Sequence, residues 1–215
     1  MLKVNTIFFD VDGTIVDATK DIANAVNFAL ESLGRDKRSY GEIISCVGTG
    51  VSDLISKSLK LPQGSPLVAR GVELYGDYYM KHSADEARLY PNAKEILEYF
   101  SPKRKFVLTN RYRRFAEKLL EELDIAKYFE DMIGGDDETC IKPSKCLMDK
   151  VLPRFKVNRD EAIIVGDMDI DVMTGKNSGI RTCFITHGLG RVEDVRKLKP
   201  DYIIDDLIEL KKIIK

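Results

Sequence analysis

The chain has 215 residues, enough for one large α/β domain or for a core that carries a smaller insertion. Hydrophobic residues make up 44% and charged residues 32%, which argues against disorder; 34 basic against 35 acidic residues leave no nucleic-acid or membrane-surface footprint. No apolar run reaches the roughly 20 residues that span a bilayer, and the first strand-like run is interrupted at Asp10 and Asp12, so no signal peptide is expected.

In chain order, Thr6-Ile7-Phe8-Phe9 ends at Asp10 and has the continuous apolar pattern of a strand buried on both faces of a parallel sheet. Residues 19–83 then show only helical patterns. Ile22, Ala25, Val26, Ala29, Leu30 and Leu33 form one stripe; Leu54, Ile55 and Leu59 follow, and then Val72, Leu74, Tyr75 and Tyr78. The stretch is too long for an ordinary connection and reads as an inserted helical bundle, with hinges near residues 16–19 and 84–89. A helix is predicted over 93–100 after Pro91-Asn92. Phe106-Val107-Leu108 is the next strand and runs into Thr109-Asn110. The basic cluster Arg111, Arg113 and Arg114 reads as a solvated helix start, before a helix over 115–123 with Phe115, Leu119, Leu120 and Leu123 on one face.

Further helices are predicted over 146–155 and over 172–178, the last stopped by Gly179. Ala162-Ile163-Ile164-Val165 runs into Gly166-Asp167, Thr182-Cys183-Phe184-Ile185 into Thr186-His187, and Tyr202-Ile203-Ile204 is a fifth strand-like run. Strand alternating with helix predicts a doubly wound α/β domain, a Rossmann-like parallel sheet. The predicted domains are an α/β core of residues 1–16 and 86–215 and a helical cap of residues 17–85. Cys46, Cys140, Cys146 and Cys183 contain no Cys-x-x-Cys pair and the histidines are two, so reduced thiols in a cytoplasmic protein are expected. Nothing in the sequence bears on oligomeric state.

Ligands of open α/β sheets sit beyond the carboxyl ends of the strands. The residues there are Asp10 and Asp12, Thr109 and Asn110, and Asp167, with Lys142-Pro143 in a loop before a helix. Carboxylates, a hydroxyl and an amine, without His or Cys, suit a phosphate and a hard metal ion better than acyl transfer. A carboxylate can attack phosphorus and divide phosphate-ester hydrolysis into two easier steps. It is repelled, however, by a phosphate dianion, by about 8 kcal/mol in total for unit-charge pairs worth roughly 4 kcal/mol each at about 4 Å and an effective dielectric of about 20. Mg²⁺ and Lys142 are the countercharges on offer. The departing alcohol also needs a proton, and Asp12 can swing back toward Asp10 because Gly13 allows a sharp turn.

Asp10-Val11-Asp12-Gly13-Thr14, with its continuation Ile15-Val16-Asp17, resembles the first motif of the haloacid dehalogenase superfamily. Thr109-Asn110, Lys142-Pro143, and Gly166-Asp167 with Asp171 follow in the family's order. The inserted helices, the loop Val47-Gly48-Thr49-Gly50 and the tail His187-Gly188-Leu189-Gly190 are similar to the phosphoglycolate-phosphatase-like branch.

The resemblance implies a Mg²⁺-dependent hydrolase of a small soluble phosphomonoester. In it Asp10 is nucleophile and metal ligand. Asp12 is general acid and then base, with its backbone carbonyl on the metal. Thr109 and Lys142, with backbone N–H groups of Asn110, hold the phosphoryl group. Thr14 lies in the substrate site, Asp167 binds Mg²⁺, and Asp171 orients either the metal's water or Lys142. Gly48, Thr49 and Gly50 are the cap's candidates for choosing the substrate. Two stretches depart from the family pattern: Lys142-Pro143 continues into Ser144-Lys145, and Thr174-Gly175-Lys176-Asn177 is more polar than usual.

Other readings of these residues compete. Calcium loops starting at Asp10 or Asp167 lack the sixth-position glycine, having Ile15 and Val172 there. Gly48-Thr49-Gly50 lacks the third glycine of a dinucleotide fingerprint, with Asp53 at that place. Asp17 could serve as a helix cap, and His187 is structural or lies beside the substrate. A phospho-accepting receiver module should place its acceptor on a middle strand and have no helical insertion, the opposite of this chain; a phosphosugar mutase of the same superfamily is the other alternative, against which the cap loop favours hydrolysis.

Overall fold

The computed structural model describes residues 2–215. The first strand, β1 (Thr6–Phe9), is buried at all four positions. Next come β2 (Val16–Asp17) and the helices α1 (Thr19–Ser32), α2 (Tyr40–Ile44), α3 (Val51–Leu59) and α4 (Pro66–Tyr79). The strand β3 (Arg88–Leu89) returns antiparallel to β2, so a short two-stranded ribbon occupies the two expected hinges. The chain continues through α5 (Ala93–Tyr99), β4 (Arg104–Leu108), α6 (Arg113–Glu122), β5 (Asp131–Ile133), α7 (Lys145–Phe155) and β6 (Ala162–Gly166). It ends with α8 (Asp169–Ser178), β7 (Arg181–Ile185), α9 (Val192–Lys197), β8 (Tyr202–Ile204) and α10 (Leu210–Ile213).

Six strands form a parallel sheet in the order β5-β4-β1-β6-β7-β8. Alternate side chains feed two cores. Ile7, Phe9, Val107, Ile163 and Val165 pack with residues of α5 and α6 on one face, whereas Phe8, Phe106, Leu108 and Ile164 pack with α7 on the other. Burial on both faces is why these strands read as unbroken apolar runs. Strand β5 was not expected: it has three residues, begins at Asp131, and is too short to show a pattern.

Helices α1–α4 share a separate apolar cluster that includes Ile22, Val26, Leu30, Leu54 and Ile55. In α4 the buried face runs through Val68, Tyr75 and Tyr79 rather than through Val72, Leu74 and Tyr78, which are only partly buried. Phe115 and, partly buried, Tyr112 join this cluster from the start of α6. Phe115 of α6 packs edge-on against Tyr75 and Tyr79 with ring centroids 5.7 and 5.5 Å apart. No helix among the described residues is long and apolar enough to cross a membrane.

The thiol expectation is corrected by a disulfide between Cys140 and Cys146. It spans the turn that carries Lys142 and the start of α7, where chain reversal brings together two cysteines too far apart in sequence for a metal-type pair. Cys46 and Cys183 are free.

Candidate active site

Register builds the site. Phe9 pairs with Val107 on one side and with Val165 on the other, so the residues that follow these strands emerge together. The Asp10 backbone N–H donates to Val165 O at 2.9 Å, fixing the end of β1 against β6. After it, Gly13 takes φ +84°, and a Cβ there would lie 2.2 Å from Asp167 Oδ2. The turn therefore needs glycine both for its backbone and for the close approach of Asp167.

Lys142 is buried, with Nζ 3.0 Å from Asp10 Oδ1 and 2.7 Å from Asp171 Oδ1. Burial alone would lower its pKa, but the two carboxylates hold it well above the usual lysine range. For Asp10 burial dominates and pushes the carboxyl up to about 7, although Lys142 opposes the rise. Asp167 is raised well above the carboxylate range by burial and then by Asp10 and Asp171. It accepts from Thr14 Oγ1 at 2.7 Å and from the Leu189 N–H at 2.7 Å, so the 187–190 tail serves to hold it.

Asp10, Asp167 and Asp171 each offer a carboxylate oxygen, and these oxygens lie within 4.8 Å of one another. Three buried oxygen donors with no His or Cys among them are a donor set for a hard cation such as Mg²⁺, and the raised carboxyl groups of Asp10 and Asp167 mark where positive charge is wanted. Asp171 thus stands in contact with Lys142 and within reach of the same cation.

Above Asp10 lies a cavity of about 50 Å³ lined by both domains. Asp10, Asp12, Thr109, Asn110, Lys142, Gly48 and Gly50 line it, as the sequence reading grouped them. Asp167 and Asp171 lie behind its lining, and two substrate-site candidates are also absent from it. The Thr14 hydroxyl is spent on Asp167, and Thr49 faces Asp53 and Lys57 on the cap surface. Asp17 accepts from the Thr19 N–H at 3.1 Å, a local bond at the start of α1. His187 stacks on Tyr90 and bonds Thr14 O at 3.1 Å. Of the departing residues, Asn177 donates to Pro143 O at 2.8 Å and Thr174 to Ile170 O at 2.6 Å, so both polar groups are satisfied internally.

Two residues do more than their sequence context suggested. The Asn110 side chain donates to Gly48 O (2.9 Å) and Lys142 O (3.0 Å) and accepts from Lys142 N–H (2.8 Å), bracing the cap loop against the lysine turn. Arg111, expected on a solvated helix start, is 6% exposed and precedes α6. Its Nε and Nη2 donate to the two Asp12 carboxylate oxygens at 3.0 and 2.6 Å, and its guanidinium lies 4.6 Å from the Tyr79 ring centroid. The sequence held one clue, an acidic partner at Asp12, but 99 residues separate the two.

The fold and site define a hydrolase of α/β fold with a buried acidic cluster beyond the carboxyl ends of its strands, and comparison with known proteins agrees with that class. The profile of the haloacid dehalogenase-like hydrolases matches residues 7–185, and the chain belongs to that family. It is 31% identical to the phosphoglycolate phosphatase of Vibrio parahaemolyticus over 98% of this chain and 96% of that one. A crystal structure of a predicted phosphoglycolate phosphatase from Haemophilus somnus superposes with a TM-score of 0.88 at 26% identity, covering 99% of each chain. A haloacid dehalogenase-like family protein from Streptococcus pneumoniae superposes at 0.86, also with 26% identity over 99% of each.

Proposed function

We propose that the chain is a Mg²⁺-dependent phosphatase that hydrolyses a small, phosphoglycolate-like phosphomonoester through a phospho-aspartate on Asp10. The observation that carries this reading is Asp10 itself: a buried carboxylate at the cavity floor, 3.0 Å from a buried Lys142 and beside two further buried carboxylates. Asp10, Asp167 and the Asp12 backbone carbonyl would hold Mg²⁺, with Asp171 in support; the ion would supply positive charge toward the phosphoryl oxygens.

The protein's own groups account for the rest. An Asp10 oxygen attacks phosphorus and the bond to the alcohol oxygen breaks, while Asp12 gives that oxygen a proton. Water then attacks the phosphoryl group with Asp12 taking its proton, which releases phosphate and restores Asp10. Thr109 and Lys142 hold the phosphoryl group through both steps. In this structure Asp12 faces Arg111, so its side chain has to turn from that partner to serve the leaving oxygen.

Residues 17–85 act as a cap that closes over the site, excludes water and selects the substrate. A cavity of about 50 Å³ suits a small acid far better than a nucleotide, since pockets for drug-sized ligands run to roughly 300–1,000 Å³.

Phosphate release from a panel of phosphomonoesters, with Mg²⁺ and with excess chelator, tests the reading. Mg²⁺-dependent release that is fastest for small acids is expected. Isomerised sugar phosphates without free phosphate would instead identify a mutase. Full activity in chelator would remove the metal from the account.

A further inference from the structure

Arg111 stands in the cavity wall without a part in the chemistry proposed above, and its side chain is not satisfied there. Its Nε and Nη2 bond Asp12, its face covers Tyr79, and Nη1 is buried with no hydrogen-bond partner among the described residues. Buried donors left unpaired are rare in folded proteins and mark a partner that is missing. The other cation lining the cavity, Lys142, is occupied by Asp10 and Asp171. Ile22, Val47, Val51, Leu54 and Met168 give the same cavity a largely apolar wall, with Tyr75, Thr109 and Asn110 as its uncharged polar members. A guanidinium has donors only, and in a dry, apolar setting its strongest partner is an anion bound through paired N–H groups.

We propose that Arg111 is the specificity-determining residue of this site and reads a second negatively charged group, a carboxylate, at the end of the substrate away from the phosphoryl group. This deepens the phosphatase reading and rests on it. The carboxylate takes over the Nε–Nη2 edge that Asp12 leaves when Asp12 turns to the leaving oxygen, and Nη1, now covered, is the further donor that the same movement can uncover. One carboxylate replaces another on the guanidinium, and Asp12 takes up a proton from water before the cavity closes; the charge then stays balanced, and this is the proton that Asp12 gives to the leaving oxygen. Substrates without the second anion offer Arg111 nothing in exchange for Asp12, so they are discriminated against in turnover as well as in binding.

A purely structural role would have Arg111 pin Tyr79 and Asp12 and would be blind to the substrate's far end. The two are separated by initial rates on 2-phosphoglycolate and on its uncharged isostere, glycolamide phosphate, for wild type, Arg111→Met and Arg111→Lys, with folding checked by thermal melting. Wild type should favour the acid. In Arg111→Met the acid-to-amide ratio of kcat/KM should fall roughly 10- to 100-fold, the range of a charge-assisted hydrogen bond, whatever loss both substrates share. Arg111→Lys keeps the charge but not the forked donors, so its ratio should fall by less, roughly 10-fold, and it decides the matter if the Met variant does not fold. An unchanged ratio, or a wild-type enzyme indifferent to the charge, overturns the role given to Arg111. A wild-type enzyme that releases phosphate from neither compound, nor from p-nitrophenyl phosphate, overturns the phosphatase reading itself.

Discussion

Asp10 is held in a state that favours its proton: burial raises its carboxyl from an ordinary 3.8 to about 7. The consequence for stability has a definite sign. Between these two values the native protein keeps a proton that the unfolded chain gives up, so this group's stabilising contribution is full below about 3.8 and is lost as pH rises through about 7. The metal-free protein should therefore melt at progressively lower temperature across that window, more steeply than its Asp10→Asn variant. Added Mg²⁺ should remove the difference by favouring the carboxylate. Parallel melting curves for wild type and variant without metal would show that burial does not perturb Asp10. The acidic residues were the most legible part of the site, because Asp10 and Asp167 directly follow apolar strands, with Asp12 and Asp171 close behind them. Arg111 was not: a run of arginines before a helix looks solvated locally, and its partner is Asp12 on a different strand's loop.

At the scale of elements, the loop after β4 does the work of joining cap to core. The three bonds of Asn110 reach Gly48 O and both backbone groups of Lys142. Asn110→Ala leaves the two buried Lys142 backbone groups unpaired, at about 1–3 kcal/mol for each, and frees the part-buried Gly48 O. Thermal melting should show the loss, and KM should rise because Lys142 is no longer held in register. A variant with wild-type melting and KM would mean that water replaces the side chain at no cost.

The cap loop makes a separate prediction. Gly48 has φ +122° and Gly50 φ +97°, and a Cβ on Gly48 would lie 2.9 Å from Met168 Sδ. Met168 is flexible and can yield, but the backbone conformation cannot suit valine. Gly48→Val should raise KM for a small acid roughly tenfold or more while Gly50→Val acts in the same direction. Unaltered KM and selectivity in both would return this loop to the role of a helix start. The loop's glycines were visible in sequence; Thr49 was grouped with them by adjacency alone and points instead to Asp53 and Lys57.

Over the whole molecule, the helical cluster meets the sheet domain at the start of α6, chiefly through Phe115. Phe115 belongs by sequence to a helix of the sheet domain, yet it packs with Tyr75 and Tyr79 of the inserted helices. Phe115→Ala should cost about 3–5 kcal/mol, read as a lower melting temperature, and should weaken cap closure as well. A loss confined to stability, with steady-state constants unchanged, would show that the cap finds its place without this ring. The alternation of strands and helices made the sheet domain readable, and the long strandless stretch made the insertion readable. What stayed hidden depends mostly on contacts between distant segments, namely the three-residue β5, the two-residue ribbon of β2 and β3 and the placement of Phe115; the Cys140–Cys146 pairing is local but depends on how the turn between them reverses.

The central claim is that Asp10 carries the phosphoryl group. The most direct measurement is rapid acid quenching of the Mg²⁺-loaded enzyme during turnover of 2-phosphoglycolate, followed by peptide mass spectrometry and a parallel rate measurement on Asp10→Asn. One phosphoryl group on the peptide containing Asp10 is predicted, with no label and no turnover in the variant, because an amide cannot take the nucleophile's part. Sustained turnover by carefully purified Asp10→Asn protein, or a phosphoryl group found on another residue, would contradict the account.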